Sequence, residues 1–490
     1  MPSFGKRMGR TFARVCPLLV CGLISGCVGL SFATPPSEPT PTPKLVRAAT
    51  AIADPGTSRA IALASYPAAP PPAGNSQQPC DPPFAADAEL SVDSLIEQVL
   101  ARNPSLAQMV AAWQAASARY PQVTSLEDPM FGATIGPGTI DPDDRGVEFA
   151  YRLEVSQKLP FPGKLKLRGQ NALAEASAAG RDVEDMRLQL IESARTAFYD
   201  FYLAERALAV NDDSLRLLRD FRSNAQTRYQ TGLVPEQDLL QAEVEISKEQ
   251  DRRLELEQMR QVSVARINTL MHLPPDSRLP SPPQQLEMRE ELPEALVLRA
   301  MAVARRPDLQ ALADRIAADE ASLGLAHKEF YPDFEPFFMY DRFMGNVSDN
   351  RDLATMLGVR LNLPLYNRRR FGAVAEAEAR IAQRRAALAR LTDQVNFQVQ
   401  EAYARVQRSE RSVRLYRDTI LRSAEANVRA AQAAYVTGKI PFLSLIEAER
   451  NVVGLRDRYY EALADYFRRR AALERAVGGP VAPFVPDGGR

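Results

Sequence analysis

Tyr229-Gln230-Thr231-Gly232-Leu233-Val234-Pro235 returns later in the chain as Tyr435-Val436-Thr437-Gly438-Lys439-Ile440-Pro441. In both segments a glycine follows a long apolar-periodic stretch, and a proline stands three residues beyond it. Glycine reaches the left-handed backbone that closes a helix, and proline suits the first turn of the next one. Each segment predicts a tight turn between two antiparallel helices. Upstream, Lys164 to Gln230 holds no proline, and its only glycines are Gly169 and Gly180. As one helix these 67 residues would extend about 100 Å. Leu190, Ala194, Ala197, Phe201, Ala204 and Leu208 step by four and three, the 3.5-residue period of a coiled coil. Val395, Val399, Ala402, Val406, Ser409 and Val413 do the same inside a second predicted helix, Phe371 to Thr437. Shorter return helices are predicted at Glu236–Met271 and Phe442–Val477.

The pairing continues outward. Ala101-Arg102-Asn103-Pro104-Ser105-Leu106 recurs as Ala304-Arg305-Arg306-Pro307-Asp308-Leu309, Pro129 as Pro332, Pro160 as Pro364, and Pro274 as Pro480. Order and spacing persist over a separation of about 205 residues, so residues 89–285 and 286–480 read as two copies of one large unit. Ahead of each long helix lie two strand-like runs, near 129–136 and 146–159, then near 333–343 and 353–363. Phe149, Tyr151, Leu153 and Val155 alternate with Arg152, Glu154 and Ser156, and Leu357, Val359 and Leu361 with Gly358, Arg360 and Asn362. Each copy is helix, β-hairpin, long helix, turn, helix. About ten tilted residues are what a membrane-crossing β-strand needs. The strands alone fit equally a soluble β-subdomain capping a coiled-coil body. Four strands cannot close a barrel, so a membrane reading requires several chains.

Lys+Arg and Asp+Glu are equal at 61 each, which gives nucleic acid no basic surface to bind. Lys6, Arg7, Arg10 and Arg14 precede a short apolar run, Val15–Ile24, too short to span a membrane. It ends in Leu23-Ile24-Ser25-Gly26-Cys27, which reads as a lipoprotein signal over 1–26 with acylation at Cys27. Thirteen of the 37 prolines fall between residues 31 and 83, so 27–88 reads as a Pro/Ala-rich tether; residues 481–490 are a tail. His272 and His327 are the only histidines and sit in no catalytic or metal spacing. No glycine-rich phosphate loop is present. The sequence therefore predicts no enzyme, no cofactor and no metal site.

With Asn103-Pro104-x-Leu106, Tyr229-x-x-Gly232-Leu233 and Tyr435-x-x-Gly438-x-Ile440 in this order, residues 90–480 resemble the TolC family of outer-membrane efflux proteins. Ser156-Gln157-Lys158-Leu159-Pro160-Phe161-Pro162-Gly163-Lys164 is similar to the strand-to-helix junction of its heavy-metal, CzcC/CusC-like branch. The resemblance implies a homotrimer, with a 12-stranded barrel in the outer membrane of a Gram-negative bacterium over an α-helical coiled-coil tunnel in the periplasm. The implied role is the exit duct of a tripartite system, fed by an inner-membrane pump through a periplasmic adaptor. It also assigns residues. Thr231, Gly232, Leu233, Thr437, Gly438 and Lys439 would form the adaptor-docking tip. Tyr435 and Asp238 match a closing pair of the family's entrance gate, and Glu447 would face its lumen as a carboxylate ring. Ile440 stands where the best-known member has an arginine, which leaves a charge-assisted latch without its cation. Apart from the resemblance, Lys158, Lys164, Lys166 and Arg168, with Arg368, Arg369 and Arg370 in the second copy, follow the descending strands and would either snorkel to inner-leaflet headgroups or stand as solvated helix starts. Metal cations lead as cargo, with drugs or other small molecules next. The competing readings are a periplasmic adaptor, a coiled-coil scaffold and a type I secretion exit channel. An adaptor would carry lipoyl-type β segments around one hairpin, whereas here the hairpins are duplicated.

Overall fold

The computed structural model describes residues 84, 89–137, 149–288, 292–344 and 355–481. The segments read as a signal, an acylated Cys27 and most of the tether lie outside the described residues, as does the tail beyond Val481. Each copy begins with a short helix broken from the next by proline. α1 (Val92–Arg102) gives way to α2 (Pro104–Ser117), and α6 (Ala295–Arg305) to α7 (Pro307–Lys328). Proline at the first helical position needs no amide partner, so the new helix starts cleanly. Asn103 caps it, accepting from the Ser105 amide at 2.9 Å while its side-chain nitrogen donates to the Leu270 carbonyl at 2.9 Å. In the first copy a further short helix, α3 (Arg119–Thr124), precedes the sheet.

Strands β1 (Met130–Pro137), β2 (Phe149–Ser156), β3 (Phe334–Met344) and β4 (Thr355–Leu361) form one antiparallel sheet in the order β1-β2-β3-β4. The hairpins are thus not independent: β2 of the first copy pairs with β3 of the second, Ser156 opposite Phe337 and Phe149 opposite Met344.

From the sheet runs α4 (Lys164–Gln230), 67 residues without interruption, followed by the return helix α5 (Glu236–Leu270). Gly169 lies where α3 crosses α4: a Cβ there would meet Thr124 Cγ2 at 2.7 Å. The second long helix is α-helical except at one turn. α8 (Asn367–Leu415) passes through a π-turn at Tyr416–Ile420 into α9 (Leu421–Val436), and α10 (Phe442–Val477) returns. A π-turn accommodates an extra residue without ending the helix. The separation between copies grows from 204 at Pro160/Pro364 to 206 at Gly232/Gly438, so the second long segment carries the insertions. The proline pair Pro235 and Pro441 occupies N-cap positions, one residue earlier than the first helical turn.

The main core gathers where the short helices pack across the long ones. Leu95 and Val99 of α1 and Leu298 of α6 join Phe198, Phe201 and Tyr202 of α4, Val395 and Val399 of α8, and Leu463 of α10. Tyr199 stacks on Phe467 at 4.9 Å between ring centroids. A smaller cluster near the turns holds Leu218, Phe221, Tyr435, Phe442, Leu445 and Ile446. Within the described residues, no helix is long and apolar enough to cross a membrane.

Candidate functional site

Chemistry is concentrated at three places along the long helices: the sheet, its junction with α4, and the two turns at the far end of a helix about 100 Å long. The pleat sends alternate residues to opposite faces. One face of the sheet carries Phe131 and Ile135, Leu153 and Val155, and Leu357 and Val359, all exposed, with Leu357 at 85%. The other face carries the sheet's ion pairs among Met130, Phe337, Met339 and Met356. Arg152 donates to both oxygens of Asp341 at 2.7 and 2.8 Å. Arg360 pairs with Glu154 and, at 3.2 Å, with Glu335, and lies 4.5 Å over the Phe337 ring.

At the junction Lys164 is not on the surface, as the snorkelling expectation required. It is 1% exposed, and its ammonium donates to Asp333 Oδ1 at 2.8 Å. The Phe161 amide donates to the same oxygen at 2.8 Å. Burial pushes the Asp333 carboxyl up, but these bonds outweigh it and hold the group below its ordinary value. A buried ammonium is tolerated only with such a partner. Asp333 lies 169 residues away, brought there by the β2–β3 pairing, the Leu159–Phe334 bridge and the packing of α7 on α4.

At the turns, Gly232 and Gly438 both adopt φ +72°, with nothing near their Cα hydrogens. In each the glycine amide donates to the tyrosine carbonyl three residues back, 2.9 Å for Gly232 and 3.0 Å for Gly438. The next amide reaches one residue further, Leu233 to Arg228 at 2.9 Å and Lys439 to Ala434 at 2.8 Å. Thr231 and Thr437 turn their hydroxyls onto helix carbonyls within 3.2 Å. Leu233, just past the first glycine, is 69% exposed.

The structure brings Asp238 and Tyr435 together and adds a residue the sequence reading missed. Arg228 Nη1 donates to the Tyr435 carbonyl at 3.0 Å, and its guanidinium lies 4.9 Å from that ring centroid. The Tyr435 hydroxyl is buried and makes no well-formed hydrogen bond. Burial raises the Asp238 carboxyl, with Arg228 and Tyr435 acting in the opposite direction; burial and the Asp238 charge raise the Tyr435 phenol. Arg228 therefore stands as a cation at the seam where Ile440 offers none. The available signal was the mismatch between copies, since the residue matching Arg228 is Ala434. Glu447 is exposed on α10, near Arg450, and is not part of this group. Arg450 itself joins the two return helices through Glu245, Nε to Oε2 at 2.7 Å. His272 ends α5 in a left-handed conformation, φ +56°. Among the described residues no cluster of His, Cys, Asp and Glu could hold a metal ion.

Paired long helices thus carry an amphipathic sheet at one end and glycine turns at the other. Residues 95–271 and 298–479 match the family model for outer membrane efflux protein, and the chain belongs to that family. Nodulation protein T of Rhizobium leguminosarum bv. trifolii is 22% identical over 354 residues, covering 69% of this chain and 73% of that protein. The cobalt-zinc-cadmium resistance protein CzcC of Cupriavidus metallidurans is 24% identical over 318 residues, 62% of this chain and 70% of that one. The outer-membrane channel OprN superposes with a TM-score of 0.68 at 20% identity, covering 81% of this chain and 91% of that chain. The protein is thus an outer-membrane efflux channel and not an enzyme. Family members act as trimers with an adaptor and an inner-membrane pump.

Proposed function

We propose that three copies of this chain close a twelve-stranded barrel, anchored by lipid at Cys27, and serve as the exit duct of a tripartite efflux system. The observation that carries this reading is the sheet. One face is almost wholly apolar and exposed, the other carries the ion pairs, and among the described strands β1 and β4 each have one partner. An unpaired strand edge in hydrocarbon leaves backbone groups without partners, at several kcal/mol each. Joining β4 of one copy to β1 of the next removes both edges and turns the ion-paired face inward.

The helices extend into the periplasm, where Thr231, Gly232, Leu233, Thr437, Gly438 and Lys439 receive the tip of the adaptor. Tyr435, Asp238 and Arg228 hold the first-copy and second-copy coils together at the entrance. Glu447, exposed on α10, supplies the lumenal carboxylate. Cargo is a metal cation or another small molecule, selected upstream by the pump.

Outer-membrane fractions of cells making the full chain test the assembly. A trimer band that collapses to monomer on heating is expected, as is mass on the mature N-terminus equal to an acylated cysteine, lost in Cys27→Ser. A soluble monomer from the Cys27→Ser chain overturns the channel. For the entrance, Tyr435→Phe removes the hydroxyl facing Asp238 and should raise the conductance of trimers in planar bilayers; unchanged conductance removes the pair from the gate.

A further inference from the structure

The apolar face of the sheet carries one charge among its described residues. Along β3 that face runs Phe334, Pro336, Phe338, Tyr340 and then Arg342. Arg342 lies opposite Tyr151 of β2 and two residues beyond Tyr340, and the two phenol rings, 6.2 Å apart, share that face with it. Asp341, the carboxylate beside it in sequence, points to the other face and is held by Arg152. A guanidinium carries five N–H donors in one plane.

Height decides what those donors meet. Phe334 marks the helical end of the sheet, where its carbonyl accepts from the Leu159 amide at 2.7 Å. Eight residues separate it from Arg342; at about 3.4 Å per residue and a tilt of about 40°, the rise is about 21 Å. That approaches the height of a barrel's apolar band, about 25 Å. In the barrel reading, Arg342 stands level with the outer-leaflet headgroups, on the lipid side, flanked by the aromatic residues that favour that depth. Headgroups there offer phosphate, and the planar fork of arginine matches phosphate in two bonds at once.

We propose that Arg342, beside Tyr340 and Tyr151, is a binding site for a lipid phosphate of the outer leaflet, and that this phosphate belongs to lipopolysaccharide. The site rests on the barrel reading and repeats three times around the trimer.

Delipidated trimers of the full chain, titrated with purified lipopolysaccharide and followed by native mass spectrometry and thermal unfolding, test it. Wild type should bind and melt at a higher temperature, whereas Arg342→Leu should bind about tenfold more weakly, the loss of a charge-assisted contact. Arg342→Lys should recover part of the affinity. With dephosphorylated lipopolysaccharide, wild type and Arg342→Leu should become alike. Equal binding by heat-modifiable trimers of wild type and Arg342→Leu overturns the site and leaves the barrel standing. Phosphatidylglycerol binding as tightly as lipopolysaccharide, with the same loss in Arg342→Leu, overturns the assignment to lipopolysaccharide. A chain that forms no membrane trimer overturns the barrel and this site together.

Discussion

Gly232 and Gly438 hold the same φ of +72°, yet Tyr229 before the first is 43% exposed and Tyr435 before the second is 5% exposed. Arg228 corresponds to Ala434, Glu236 to Phe442 and Asp238 to Ser444. The turn needs one glycine and two amide–carbonyl bonds, so it withstands drift in the surrounding side chains. Packing against a neighbour depends on those side chains, and there the copies have parted. The second turn is the anchored one: Tyr435 and Phe442 sit in the cluster with Leu218 and Phe221 of α4.

The largest test of this contrast is Phe442→Ala. Phe442 is 1% exposed, and its truncation should cost about 3–5 kcal/mol. Glu236→Ala, at the matching place, should shift stability by less than about 0.5 kcal/mol. Hydrogen exchange at the ends of α9 and α10 reads the first, and equal losses in the two variants would erase the distinction. Gly232→Ala and Gly438→Ala should instead behave alike, each costing about 1–2 kcal/mol for a left-handed alanine. A clear inequality in thermal unfolding would show that the turns differ in backbone as well as packing.

Arg228→Leu removes the guanidinium over Tyr435 and should favour the open entrance about fivefold, from a cation–π contact of about 1 kcal/mol. Single-channel open probability reports it, and Ala434→Arg, which adds a cation at the other turn, should not restore the loss. The smallest effect concerns pH. Asp238 has its carboxyl raised by burial, so the folded tip binds its proton more tightly than the unfolded chain does. Its contribution is present below the ordinary aspartate value of about 3.9 and is lost as pH rises through the raised one. Asp238→Asn should flatten the pH dependence of exchange protection at the tip in that range; an unchanged slope would exclude Asp238 as its source.

Much of the helical frame is visible in the sequence because it depends on local rules. The proline-free stretch from Lys164 to Gln230 is α4, and the two glycine turns fall where the glycines stand. Contacts distant in sequence were not readable. Lys164 looked like one of several surface cations because its partner Asp333 belongs to the other copy. Arg228 carried no motif, since its role at Tyr435 depends on a packing between residues 207 apart. The sheet order was equally hidden: alternation identifies each strand and its faces, but does not say that β2 pairs with β3. The π-turn was hidden too: the spacing between copies drifts by two residues, from 204 to 206, and a π-turn takes up one of them without marking where.

That π-turn also bears on how such a helix can change over time. One residue inserted into an ideal helix rotates everything beyond it by about 100°, which would swing Ala424, Val428 and Tyr435 out of their packed row. Confined to Tyr416–Ile420, an extra residue does no such damage, and the row stays in phase to the turn. Long coiled segments of this kind can therefore survive small insertions, provided the surplus is contained within one turn. α4 has no such turn, which makes it the stricter of the two copies towards a change in length.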